Sequence, residues 1–144
     1  MKSIKAIVGS AAVLGAVVAG AVLPASAASA ATPSCTKAEA WSNGVLVPVS
    51  SGGKAKCSLV KGANNAAVGA LQLALKICYS QSITVDNSFG TNTFNALKAA
   101  QTTAKIGVDG SYGPESAANL KLSWYGDNPT KADCHVNDQI DEVG

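Results

Sequence analysis

Residues 85–97 read VDNSFGTNTFNAL and residues 108–120 read VDGSYGPESAANL, two versions of one unit at an offset of 23 residues. No other feature constrains the fold of this chain as strongly. In each copy Val-Asp precedes a residue that tolerates positive φ, Asn87 or Gly110, followed by serine, an aromatic ring (Phe89 or Tyr112) and a second glycine, Gly90 or Gly113. That order describes a sharp turn that launches a helix. Pro114 suits the first helical position, where its missing N–H costs nothing. Upstream, Asn64 or Asn65 can cap a helix whose apolar face is Val68, Leu71, Leu75 and Cys78. A second helix over about residues 91–103 aligns Phe94, Leu97 and Gln101, and a third from Pro114 carries Ala117, Leu120 and Trp124. The expected fold is therefore mainly α, a small three-helix bundle with tandem glycine-rich turn–helix repeats.

Two appendages precede this unit. Lys2 and Lys5, an uncharged Ala/Val/Gly-rich run over residues 7–23 and the small-x-small sites ending at Ala27 and Ala30 make residues 1–30 an expected signal peptide, cleaved after one of those alanines. The run is short and glycine-interrupted for a membrane anchor and lacks a basic stop-transfer cluster. Residues 31–58 are polar and glycine-punctuated. Within them VLVPV at 45–49 and KCSL at 56–59 flank Ser50-Ser51-Gly52-Gly53, which predicts a β-hairpin with Pro48 on an edge. Residues 59–125 form the expected domain and residues 126–144 an acidic tail.

Four cysteines, Cys35, Cys57, Cys78 and Cys134, follow the signal segment, and an even number in a small exported chain reads as two disulfides. Of three possible connectivities the preferred one joins Cys35 to Cys57, clipping the hairpin, and Cys78 to Cys134, tying the tail to a helix. Loop entropy alone would give about 3.4 and 4.2 kcal/mol for such closures. Zinc is disfavoured, because no CxxC pair exists and His135 is the single histidine. Neither a metal nor an organic cofactor is expected.

Charge excludes further classes of partner. Without Lys2 and Lys5, nine lysines face nine acidic residues, and the chain contains no arginine. Lacking the side chain best suited to bidentate phosphate and guanine contacts, the protein is not expected to bind nucleic acid, nor a membrane after signal cleavage. Hydrolases of glycosidic or peptide bonds need a histidine-ligated metal, a Cys-His pair or flanking carboxylates. One histidine cannot supply the first, paired cysteines oppose the second, and Asp133, Asp138, Asp141 and Glu142 read as a solvated acidic end. No catalytic residues are expected, and no separate enzyme domain is expected in the tail.

The ordered run Gly62, Val68, Leu71-Gln72, Leu75 and Tyr79, then VDNSFG, Ala96-Leu97 and Gln101, then VDGSYGP, resembles the type 1 peptidoglycan-binding domain family over about sixty-five residues. The resemblance implies a three-helix bundle acting at the bacterial cell wall. Three departures stand out: Asn87 replaces the glycine of the first turn, Cys78 replaces a glycine before Tyr79, and Ala100 replaces a phenylalanine before Gln101. Trp124 or a Cys78–Cys134 bridge is expected to refill the space left at Ala100.

Muropeptides offer sugar faces, amides and carboxylates, so a site needs aromatic surface beside amide and hydroxyl groups. The candidate ligand-binding residues are Tyr112, Asn92, Thr93, Gln101 and Ser111. Asp86, Asn87, Gly90, Asp109, Gly110 and Gly113 are assigned to the structural turns, with each aspartate expected to accept N–H bonds within its own turn. Phe89 and Tyr112 can instead be core wedges, and Gln72 and Gln101 buried amides bridging backbone groups. The function implied is a secreted, non-catalytic, monomeric module that binds peptidoglycan through its glycan strand or stem peptide, extracellular or attached to the wall. The alternative is a secreted protein-interaction or inhibitor module, for which an exposed apolar patch over residues 45–49 would speak.

Overall fold

A computed structural model describes residues 30–137, so residues 1–29 of the expected signal peptide and Asp138, Asp141 and Glu142 of the tail lie outside the described residues. The elements run β1 (Cys35–Ala40), β2 (Leu46–Ser50), α1 (Ala66–Cys78), α2 (Thr91–Ala104), α3 (Pro114–Asn119), β3 (Lys121–Ser123), a 3-10 turn (Lys131–Asp133) and β4 (Cys134–Val136).

Helix α1 is the centre of the molecule. Asn65 caps it by accepting the Val68 N–H at 3.3 Å, and nine of its thirteen residues are buried, on more than one face. Such a helix needs partners on several sides. It packs mainly against β3 and the β1–β2 hairpin, and more lightly on α2. Val45, Val47, Val49, Leu59, Val68, Leu71, Leu75, Leu97, Leu120 and Leu122 join in one core. The hairpin is thus a wall of that core rather than an ornament beside it.

This arrangement corrects the expected fold class. The protein is mixed α/β and not a mainly α three-helix bundle. The third helix stops after six residues: Leu120 is extended (φ −77°, ψ 139°) and the chain continues into β3, which pairs antiparallel with β4. Leu122 and Ser123 are buried there, where a longer helix had been expected. Trp124 consequently leaves the helical face. It makes an antiparallel bridge with Val45, and its indole lies so close to Gly44 and Gly126 that a Cβ on either would collide with the ring. It is 42% exposed, so it does not refill the space at the fully buried Ala100.

The hairpin is corrected as well. Strand β2 pairs upstream with β1, in the register Ala40↔Leu46 to Cys35↔Ser50, and residues 56–59 do not form its partner strand. The chain reverses at residues 41–45, where Gly44 (φ 80°) donates its N–H to the Trp41 carbonyl at 2.7 Å. The turn expected at residues 50–53 does form, with Gly53 N–H on the Ser50 carbonyl, but it ends the sheet instead of joining two strands. Cys35–Cys57 and Cys78–Cys134 are the two disulfides. The first closes the hairpin onto the segment entering α1, and the second fixes β4 beside the end of α1.

Candidate functional site

The two repeats are organised by two buried glutamines. Gln72 of α1 reaches the first turn, its Nε2 donating to Asp86 Oδ1 (2.8 Å), the Ser88 carbonyl (2.9 Å) and Thr93 Oγ1 (3.0 Å). Its Oε1 accepts the N–H groups of Asp86 and Asn87 at 3.0 and 2.9 Å. Gln101 of α2 repeats this at the second turn. Its Nε2 donates to Asp109 Oδ1 (2.9 Å), the Ser111 carbonyl (2.9 Å) and Ser116 Oγ (3.2 Å), while its Oε1 accepts from Asp109 and Gly110. One primary amide, its two protons shared among three acceptors and its oxygen taking two N–H groups, thus fastens each turn to the preceding helix and to the start of the next. Within each turn the aspartate accepts the serine N–H two residues on, at 2.9 Å in both cases.

These bonds favour the carboxylate form. The Gln72 amide, then the Ser88 N–H, holds Asp86 below the usual carboxylate range. At Asp109 the Ser111 N–H is the largest influence and lowers the pKa, with Gln101 acting in the same direction against partial burial.

The left-handed position is solved differently in the two turns. Asn87 (φ 63°) keeps a side chain, and Gly69 of α1 makes room for it, since a Cβ there would overlap Asn87 Oδ1. Gly110 (φ 71°) has no side chain, and the Phe94 ring occupies that space. Both aromatic turn residues point inward: Phe89 is 1% exposed and Tyr112 is completely buried. The segment before α1 pairs with both turns, Leu59 with Tyr112 and Asn64 with Ser88. No described group bonds the Tyr112 hydroxyl, and burial pushes its pKa upward.

A polar groove of about 210 Å³ lies beside the first turn, with Ile83, Thr84, Asp86, Ser88, Thr91 and Asn92 on its walls and Gln72 and Thr93 at its base. A shallower depression containing Ser80, Gln81 and Asn95 adjoins it, sharing Ile83 and Asn92. Of the candidate ligand residues, Asn92 is exposed here and Thr93 is at the buried base. Gln101 and Ser111 belong to the second turn, and Tyr112 presents no surface to a ligand. The structure therefore does not bring the five together.

Ile83, Thr84 and Thr91 were missed by sequence reasoning, although a signal existed. Gln72 precedes Asp86 by 14 residues but Gln101 precedes Asp109 by only 8. The longer loop forms the groove wall. The apolar run 45–49 offers no patch for a protein partner either, because Val45, Val47 and Val49 are fully buried. Asp133 is occupied locally, accepting from the Thr130 hydroxyl (2.7 Å) and N–H (2.9 Å), and the hydroxyl bond is the main reason that its pKa is lowered. Among the described residues no three His, Cys, Asp or Glu side chains gather as a metal site.

Comparison with known proteins agrees with the repeat geometry. Residues 64–120, which span α1, both turns, α2 and α3, match the family described as "Putative peptidoglycan binding domain". No curated protein and no solved structure matches the chain. The match covers this segment alone, and the hairpin and the tail lie outside it.

Proposed function

We propose that the protein is a secreted, non-catalytic module that binds bacterial peptidoglycan, glycan strand or stem peptide, in the groove beside the first turn. The observation that carries this reading is the coincidence of the matched segment with an exposed polar concavity on a rigid base. Asn92 offers both an amide donor and an acceptor, and Thr84, Ser88 and Thr91 add hydroxyls that can satisfy sugar hydroxyls or peptide amides. The Gln72 network holds the base in place before any ligand arrives, which lowers the ordering cost of binding. Export, with cleavage after Ala27 or Ala30, accords with two disulfides, which persist in oxidising compartments.

A single shallow groove supports micromolar affinity, on the order of −8 kcal/mol. The test is co-sedimentation of the oxidised protein with purified, protein-free sacculi, with chitin and cellulose as controls. Selective pelleting that Asn92→Ala weakens several-fold, while Ser111→Ala at the second turn leaves it intact, is the expected result. Recovery of all the protein in the supernatant would overturn the proposal.

A further inference from the structure

A second and larger concavity, about 410 Å³, lies apart from the first-turn groove. Its volume falls in the ~300–1,000 Å³ range of small-ligand pockets. Tyr79 comes to it from the end of α1, Ala104 from the end of α2, Asn119 and Lys121 from the α3–β3 junction, and Lys131 and Val136 from the tail. Among the described residues that line it, two are lysines and none is acidic. Lys131 Nζ reaches the Ser80 hydroxyl at 3.3 Å, a neutral partner, and no ion pair to it is found among the described residues. The Tyr79 oxygen accepts the Lys121 N–H at 2.8 Å, so its own proton is left to donate, and burial keeps that proton on by raising the pKa. Asn119 spends one amide proton on the Glu115 carbonyl, which leaves its side-chain oxygen to accept. Ala104 and Val136 add apolar surface beside these groups.

Such a set suits one chemistry. Two ammonium groups and a phenol call for an anion, the amide oxygen for an N–H, and the apolar wall for a small side chain. We propose that this cavity binds the free carboxylate end of a short peptide, with Lys121 and Lys131 at the carboxylate, Tyr79 as a further donor and Asn119 accepting a peptide N–H. A phosphate fits less well. The α1 and α2 ends that reach the cavity are C-terminal, whose partial negative charge favours the lysines but opposes a dianion more than a monoanion. Lys121, Lys131 and Val136 lie beyond the family match at residues 64–120, so the site does not depend on the peptidoglycan reading.

The cavity is also tied to oxidation. Its tail wall is attached by a pairing of three residues on each strand and by the Cys78–Cys134 disulfide. An isolated two-stranded pairing of that length is marginal in water. Opening the disulfide removes the wall carrying Lys131 and Val136 and leaves the two turn networks in place.

The experiment is an amide-detected NMR titration of the oxidised protein with N-acetyl-Ala-Ala, with its C-terminal amide and with inorganic phosphate. The peptide acid is expected to shift Tyr79, Asn119 and Lys121, and the peptide amide to bind roughly tenfold more weakly or less, as loss of a charge-assisted bond requires. Lys121→Gln combined with Lys131→Gln should abolish the response with the fold intact. Cys78→Ser combined with Cys134→Ser should abolish it while the signals of Asp86 and Asp109 persist. Equal binding of acid and amide, tighter binding of phosphate, or an unchanged response in the double lysine variant would each overturn the proposal. Loss of sacculus binding by Asn92→Ala bears on the first-turn groove and leaves this site untouched.

Discussion

The first turn, from Asp86 to Gly90, and the second, from Asp109 to Gly113, share one bonding scheme yet differ in what surrounds it. Each glutamine amide meets five partners of the same kinds, its two protons shared among three acceptors. Around the first, the longer loop of residues 79–84 opens a groove, and the left-handed position keeps a side chain. Around the second, the loop is short, Gly110 is buried under Phe94, and the aromatic residue carries a hydroxyl with no described partner. The common network is therefore scaffold, and the two copies differ in the longer loop that opens a groove beside the first.

Removing the glutamines tests this division most severely. Gln101→Ala should cost about 3 kcal/mol, because it strands the buried Gly110 N–H along with four further bonds. Gln72→Ala should cost less, about 2 kcal/mol, since water entering the groove can replace some of the lost partners. Urea unfolding of both variants checks the order. Equal losses would break the contrast between an open and a closed turn.

Exchanging the left-handed residues is the next largest test. Gly110→Asn places a side chain where the Phe94 ring already sits and should cost about 2 kcal/mol. The mirror change, Asn87→Gly, relieves a positive φ without creating a clash and should lie within about 1 kcal/mol of the parent. If Gly110→Asn were silent in thermal melts, the packing difference between the turns would carry no energy.

What could be read from sequence was local. A cap at Asn64 or Asn65, the 3.6-residue period of α1 and α2 and both aspartate turns follow from neighbours within a few residues, and each is present, the cap at Asn65. The failures are of longer range. Asn43-Gly44 is a strong hairpin signal, yet the more conspicuous Ser50–Gly53 cluster drew the pairing to the wrong side, and no local pattern could decide between them. Leu120 and Leu122 are both buried with Lys121 exposed between them, a two-residue alternation that ends the helix, but it is legible only once β4 and Cys134 are known to lie alongside. For the site, sequence could gather polar and aromatic residues near the turns. It could not tell that Tyr112 and Gln101 face inward while Asn92 faces out.

Tyr112 sharpens the comparison at lower energy. Phe89 occupies the equivalent place without a hydroxyl, and both rings are almost wholly buried. A buried hydroxyl without a partner carries a desolvation cost, so Tyr112→Phe should raise stability by about 1 kcal/mol and add a few degrees to the melting temperature. A loss of similar size would mean that an ordered water satisfies the hydroxyl, and the second turn would then be wetter than the first at its core.

The smallest effect concerns acid. Asp86 and Asp109 both have folded-state pKa values below those of free aspartate. A depressed folded pKa means that the stabilisation is present above the unfolded value, about 3.9, and disappears as pH falls through the folded value. Melting temperature should hold steady from neutral pH to about pH 4 and then decline as these carboxylates protonate. Asp86→Asn and Asp109→Asn retain an oxygen able to accept from glutamine and serine but lose the charge, so each should lower the neutral-pH melt slightly and flatten the acid limb. Asp86 is the more open to solvent, lying on the groove, and its contribution should also shrink more in high salt. If instead Asp86→Asn steepened the acid limb, or if salt affected Asp109 more, the assignment of the first turn as the solvent-facing member of the pair would fail.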